Sequence, residues 1–311
     1  MRRLATAALA LAALVAGTAG CGLGPGPGTG GVSLVVTRNF GDGRVGGVHA
    51  DRVPGSETVM RFLSRSFSVQ TRYGGGFVQA INGLSGQYGA GRRIDWFYYV
   101  NGIEASKGAA AFALHRGDRV WWDRHDWSAA QRVPAVVGSF PEPFLHGREG
   151  KRLPTRIDCA SGASAACDTV ARELRAVGVP AAQAALGTTF DPDTLRVVVG
   201  PWSAARSDPA ARQVEGGPTA SGVYARFDAG GKRLVLLDAT GRARRTYAAG
   251  AGLIAATRLG DRAPTWVVAG TDAAGTAAAA RAFADPSALS DRFAVAAVSG
   301  GVLPVPVGGG A

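Results

Sequence analysis

An apolar run at residues 4–15, interrupted only by Thr6, stands directly behind Arg2 and Arg3, and small residues 16–20 lead from it to Cys21. Basic residues, a short apolar stretch and small residues before a cleavage point predict a secretory signal peptide over residues 1–21. The run falls short of the roughly 20 apolar residues that a membrane-spanning helix needs. Beyond Cys21 the pattern turns to glycine and proline, residues 22–31, and apolar side chains return at Val32. Residues 32–40 predict a strand, Gly41-Asp42-Gly43 a hairpin turn, and residues 48–53 the returning strand. After a break at Pro54-Gly55-Ser56, Val59, Phe62, Leu63 and Phe67 recur at helical spacing, with Ser56 the expected cap and Glu57 in the first turn. A Gly-rich stretch with short strands covers residues 73–91. Residues 94–100 predict a strand ending in Asn101-Gly102, a strong tight-hairpin signal. Residues 103–105 form its return arm, and residues 119–123 a further strand after the turn Arg116-Gly117-Asp118.

In the second half, residues 155–159, 195–199 and 265–269 read as buried strands. Val170, Leu174 and Val177 form one helical face closed by Gly178. Residues 223–227 and 234–237 predict a hairpin around Gly230-Gly231, residues 249–256 a short helix, 273–284 a longer helix, and 293–298 a last strand. The fold class expected is therefore α+β. A β-grasp-like domain over residues 32–127 is followed by a connecting segment, residues 128–143. A second domain, an α/β sandwich with a mixed sheet, covers residues 144–307, and a disordered tail residues 308–311.

A chain of 311 residues has room for about two domains behind such a leader. The formal charge is +11, carried almost wholly by Arg in a chain rich in Ala and Gly. That bias is what GC-rich coding produces, so the charge has little functional weight. A basic exterior still favours anionic envelope polymers and lipid headgroups. Cys21 behind Thr18-Ala19-Gly20 turns the leader into a lipoprotein signal, although Thr18 stands where Leu is usual. The thiol takes the lipid, Cys21 becomes the new N-terminal residue, and the lipid anchors the protein at the extracytoplasmic face of the cell membrane. Residues 22–31 then act as a tether. The alternative is a plain secreted protein with Cys21 unpaired. A surface location excludes nucleic acid as a partner. Cys159 and Cys167 are close in sequence and face an oxidising compartment, which predicts a disulfide; a metal pair lacks further Cys or His ligands nearby.

Gly41-Asp42-Gly43-Arg44-Val45-Gly46 matches G-x-G-x-x-G, but a strand follows instead of the helix a dinucleotide site needs, so a hairpin turn is expected. No G-x-S-x-G nucleophile elbow occurs. His115, Asp123, His125 and Asp126 cluster in sequence at a spacing that fits no strong ligand pattern, and they are expected as exposed residues of a strand and its exit loop. No catalytic residue, metal ligand or cofactor is assigned. Thr271-Asp272 and Gly200-Pro201-Trp202-Ser203 end strands, where ligands of α/β sheets sit; the plainer reading of Thr271 or Asp272 is a helix cap. The aromatics Trp96, Phe97, Tyr98, Tyr99, Trp121, Trp122 and Trp127 carry more weight. Side chains alternate across a strand, so Trp96 and Tyr98 face one way, Phe97 and Tyr99 the other, and Trp121 and Trp122 split likewise. Large aromatics on both faces imply that the second face is either covered by the other domain or open as a binding surface.

Asp95-Trp96-Phe97-Tyr98-Tyr99-Val100-Asn101-Gly102-Ile103-Glu104-Ala105, then Gly108-Ala109 and Gly117-Asp118-Arg119-Val120-Trp121-Trp122, resembles the transcobalamin C-terminal-like β-grasp domain of bacterial surface and secreted proteins. The helix around Val59 and Leu63 and the step Ile81-Asn82-Gly83-Leu84 fit the same pattern. The resemblance covers the first domain alone. In transcobalamin and intrinsic factor this domain closes over one side of cobalamin, opposite a helical barrel that this chain lacks. Together with the two-faced aromatics it makes Trp96, Tyr98, Tyr99, Asn101, Gly102, Trp121 and Trp122 the expected ligand-binding residues. The expected protein is a membrane-anchored, extracytoplasmic, non-catalytic ligand-binding lipoprotein, capturing a micronutrient such as a corrinoid for a transporter. Its rival is a structural or adhesion lipoprotein of the envelope with no small-molecule ligand, its aromatic faces buried between domains. An envelope enzyme has no catalytic constellation behind it.

Overall fold

The computed structural model describes residues 28–308. Cys21, the signal segment and most of the tether lie outside the described residues, as do residues 309–311 of the tail. The chain is α+β, built on two large mixed sheets. Among the described residues no helix is long and apolar enough to cross a membrane.

The first sheet runs in the order Gly43–Val53, Thr29–Arg38, Arg119–Asp126, Arg92–Val100, Gln87–Gly89, with Ile103–Glu104 paired to Arg92–Val100. Thr29–Arg38 lies parallel to Arg119–Asp126, Ser33 opposite Arg119 and Arg38 opposite Arg124, while the other pairings are antiparallel. Val32, Leu34 and Val36 face the helix Val59–Ser66, whose Val59, Phe62 and Leu63 complete that core with Val120 and Val100. The helix starts two residues later than the sequence suggests. Thr58, not Ser56, accepts the capping bond from the Arg61 amide.

The second sheet has seven strands, Ala181–Ala185, Thr155–Cys159, Leu195–Pro201, Thr265–Gly270, Gly252–Thr257, Ala294–Val298 and Gly301–Val305 in spatial order. The first four are parallel and the last three antiparallel. Helices Ser164–Ala176 and Ala273–Phe283 cover one face through Val170, Leu174 and Phe283. Asp272 caps the second helix by accepting from the Gly275 amide at 2.7 Å, the plainer of its two readings. Residues 252–257 form a strand where a short helix was expected over 249–256. All six are buried in the sheet interior, and burial on both faces overrides the helix preference of its alanines. The hairpin Ala225–Phe227 and Leu234–Leu237 gains a third strand, Ala243–Tyr247, that the sequence pattern does not announce.

Cys159, ending a strand, is bonded to Cys167 in the following helix. Closing so short a loop stabilises by about 2–3 kcal/mol. Cys159→Ser with Cys167→Ser is expected to lose that much in urea unfolding, and a thiol reagent added to the unfolded, unreduced native chain should label neither sulfur.

Candidate functional site

The alternation expected along Arg92–Val100 holds. Trp96 and Tyr98 join the core under the helix Val59–Ser66, where Tyr98 stacks on Trp122 with centroids 4.8 Å apart. Phe97, Tyr99 and Trp121 point to the other face, and the second domain covers it. Phe293, from that domain, inserts its ring among Tyr99, Trp121 and His125 at 5.6, 5.2 and 5.2 Å. Tyr99 and Trp121 are fully buried, and Trp96 and Trp122 nearly so. The reading of these four as an open ligand-binding surface is therefore corrected: one face is covered by a helix and the other by a domain. Tyr98 is half-buried and donates to the Lys107 carbonyl.

Asn101 and Gly102 are likewise structural in this arrangement. Asn101 is buried in left-handed backbone at φ 55°; its amide donates to Asp118 at 2.9 Å and to the Gly147 carbonyl at 3.0 Å, and its oxygen accepts from the Arg119 amide. Gly102 has φ 73°, and a Cβ there would stand 2.9 Å from the Val136 carbonyl oxygen. The Asn-Gly turn is thus pinned against the connecting segment.

His115, Asp123, His125 and Asp126 do not form one exposed cluster. Asp123, His125 and Asp126 are buried. Asp123 accepts from Thr37 Oγ1 at 2.5 Å, from the Phe40 and Gly41 amides at 3.0 and 2.9 Å, and stands 2.9 Å from His125 Nδ1. Trp121 Nε1 in turn donates to Thr37 Oγ1 at 2.7 Å. This network holds the turn at Asn39, Phe40 and Gly41, all at positive φ. The Phe40 ring projects from it against His125, Tyr224 and Phe293 at 4.7, 4.8 and 5.1 Å. A Cβ on Gly41 would meet the Asp291 carbonyl oxygen at 1.8 Å, so only glycine lets the second domain approach there. His115 belongs elsewhere, 3.6 Å from buried Asp118, while His146 Nδ1 stands 2.5 Å from Glu142 at the same rim. Burial pushes both carboxyls upward. Among the described residues no three His, Cys, Asp or Glu side chains gather as a metal site.

The connecting segment is itself part of the seam. Val133 and Val136 pack with the interdomain aromatics, and Val137 and Phe140 enter the second domain's helix-side core. Beside it opens a groove of about 550 Å³, walled by Arg93 of the first domain, by Gln131 and Arg132 of the connecting segment, and by Thr219, Ser221 and Arg258 of the second domain. None of these came forward as a candidate from the sequence. They lie in four separated stretches of sequence, and no local motif joins them.

Glu104 lies behind the groove, bonded to Arg132 at 2.9 Å. Burial pushes its carboxyl up, against the opposing pull of Arg132. A folded-state pKa above the unfolded value of about 4.3 means that ionised Glu104 opposes folding near neutrality, and that this opposition fades as pH falls through the raised pKa. The native chain is thus expected to gain melting temperature relative to Glu104→Gln between pH 7 and about pH 4.5. A difference that stays flat over that range would contradict the raised carboxyl.

Residues 56–126, within the first domain, match a domain of unknown function, DUF4430. No curated protein matches the chain. A solved structure from Ruminococcus gnavus ATCC 29149, provisionally described as a metal binding protein, is similar over 31% of this chain and 97% of its own, at 11% identity and a TM-score of 0.24. That score is too low to bear on fold or function.

Proposed function

We propose that the protein is a lipid-anchored, extracytoplasmic, non-catalytic binding protein whose ligand sits in the groove between the domains and not on the aromatic sheet faces. The observation that carries this reading is the groove itself, a concavity of about 550 Å³ to which both domains and the connecting segment contribute. Ligand sites commonly measure roughly 300–1,000 Å³ and favour domain junctions. The Cys159–Cys167 bond supports an oxidising compartment, and the leader before Cys21 supports the anchor. The likeness to the transcobalamin C-terminal-like domain supports ligand capture, with delivery of a corrinoid to a transporter as its finer form. Metal binding, the description of the R. gnavus protein, gains no ligand cluster from the described residues.

Native purification of the protein without its leader and tether, followed by an absorbance spectrum and mass spectrometry of bound small molecules, tests the reading. Gln131 is exposed and lines the groove, so Gln131→Trp should obstruct part of it. A molecule retained by the native chain and lost from Gln131→Trp supports the groove; one retained equally by both places the ligand elsewhere. The buried aromatic face favours the rival structural lipoprotein, which gains if neither protein carries or binds a small molecule. Separately, Cys21→Ala is expected to leave the protein unprocessed or released from membranes, as cell fractionation would show.

A further inference from the structure

We infer that the groove takes a small anion, a carboxylate- or phosphate-bearing molecule held between Arg93, Arg132 and Arg258; this rests on the reading of the groove as the binding site. No acidic side chain lines the groove among the described residues, although three arginines from three segments do. Arg93 stacks over Trp127 at 4.4 Å and has no ion pair among the described residues. Arg258 has only 6% of its side chain exposed. Its guanidinium donates to the carbonyls of Arg262 and Asp261 at 2.6 and 2.8 Å. The nearest carboxylate, Asp261, is 3.8 Å away and fully exposed to water. Burial lowers the Arg258 pKa, and the positive charges of Arg148 and Arg132 act in the same direction. A buried cation without a close counter-ion is costly, so this one stands ready for an added negative charge.

Arg132 does have a carboxylate partner, Glu104, but burial works against the charge on that carboxyl. One carboxylate against three guanidinium groups leaves the positive charge facing the groove only partly matched. The hydroxyls along the walls do not compete for the role. Ser128, Thr219 and Ser221 donate to the carbonyls of Gly91, Ala129 and Gly217. The donors left over are guanidinium N–H groups, whose planar fork matches carboxylate and phosphate oxygens. The same chemistry fits a free anion and a lipid headgroup, and titration with free anions and with vesicles separates the two.

Inorganic phosphate and citrate, titrated at low ionic strength into the folded protein without its leader and tether, are the probes. Binding is followed by calorimetry, with sodium chloride of equal ionic strength as control. A saturable signal with either probe, weakened on the order of tenfold by Arg93→Ala, is expected from the loss of one charge-assisted contact. Arg93 is exposed, so this variant leaves the core alone. Arg258→Lys keeps the charge and removes the fork; weaker binding by that variant also supports the inference. No saturable signal, or one that Arg93→Ala and Gln131→Trp both leave unchanged, overturns it. Capture of a neutral molecule that Gln131→Trp abolishes overturns the anion while the groove reading stands. A response to phosphatidylglycerol vesicles without one to either free anion overturns it in favour of the membrane surface.

Discussion

Asp123→Ala is expected to destabilise the protein by about 3–5 kcal/mol, the range for removing one partner from a buried charged network. The carboxylate receives the Thr37 hydroxyl and the Phe40 and Gly41 amides and lies against the His125 ring nitrogen. Alanine leaves those buried groups without a partner, and water has no access to replace it. Typical domains are stable by only about 5–15 kcal/mol, so much of the margin would go. The effect should concentrate at the seam, because the affected turn carries Phe40 into the second domain. Urea unfolding followed by tryptophan fluorescence measures it, since Trp121 joins the network through Thr37. Asp123→Asn, which keeps one accepting oxygen, should fall between the two. A loss under about 1 kcal/mol for the alanine variant would show that the turn is held by packing alone.

Arg196→Met is the second large effect expected, again about 3–5 kcal/mol. Arg196 is buried between Asp158 and Asp208, at 2.6 and 2.5 Å, with Phe190 under its guanidinium at 3.8 Å. Methionine fills similar space but leaves buried Asp208 without a cation, while Asp158 keeps only Arg156, at 2.6 Å from its other oxygen. Adding Asp208→Asn, which keeps an oxygen for the Ala210 and Ala211 amides, should recover part of the loss, so that the double variant is more stable than Arg196→Met alone. Chemical unfolding of the three proteins decides this; equal stability of the single and double variants would mean that the arginine contributes shape and not charge.

The sequence made the strand at Trp96 legible down to the facing of each side chain, because a period of two needs no knowledge of the rest of the chain. It left open what covers the second face. The answer lies in Phe293, almost two hundred positions away, and no local pattern links it to Tyr99. Asn101-Gly102 was readable as a turn for the same local reason, but its bonds to Asp118 and Gly147 depend on tertiary placement. The alanine-rich stretch at residues 252–257 misled in the opposite way. Its composition favours a helix, and only its central position in a sheet makes it a strand. The groove was least legible of all. Arg93, Arg132 and Arg258 are three among many arginines until the fold brings them to one concavity.

Thr29–Arg38 is an interior strand, paired along both edges, and it enters its sheet where the Gly117 amide meets the Gly30 carbonyl. Tension applied ahead of Gly28 therefore pulls along the strand axis, with both ladders lying across it. Hydrogen bonds arranged that way are strained together in shear and do not open one after another. At the far end the strand runs into the turn whose Phe40 ring is lodged between the domains, so extraction would have to drag an aromatic side chain out of a packed core. The register also places Arg93 and Ser128 at the opposite end of the sheet from Gly28. A molecule held by its N-terminus would thus take mechanical stress at one rim and keep the groove at the other rim undeformed.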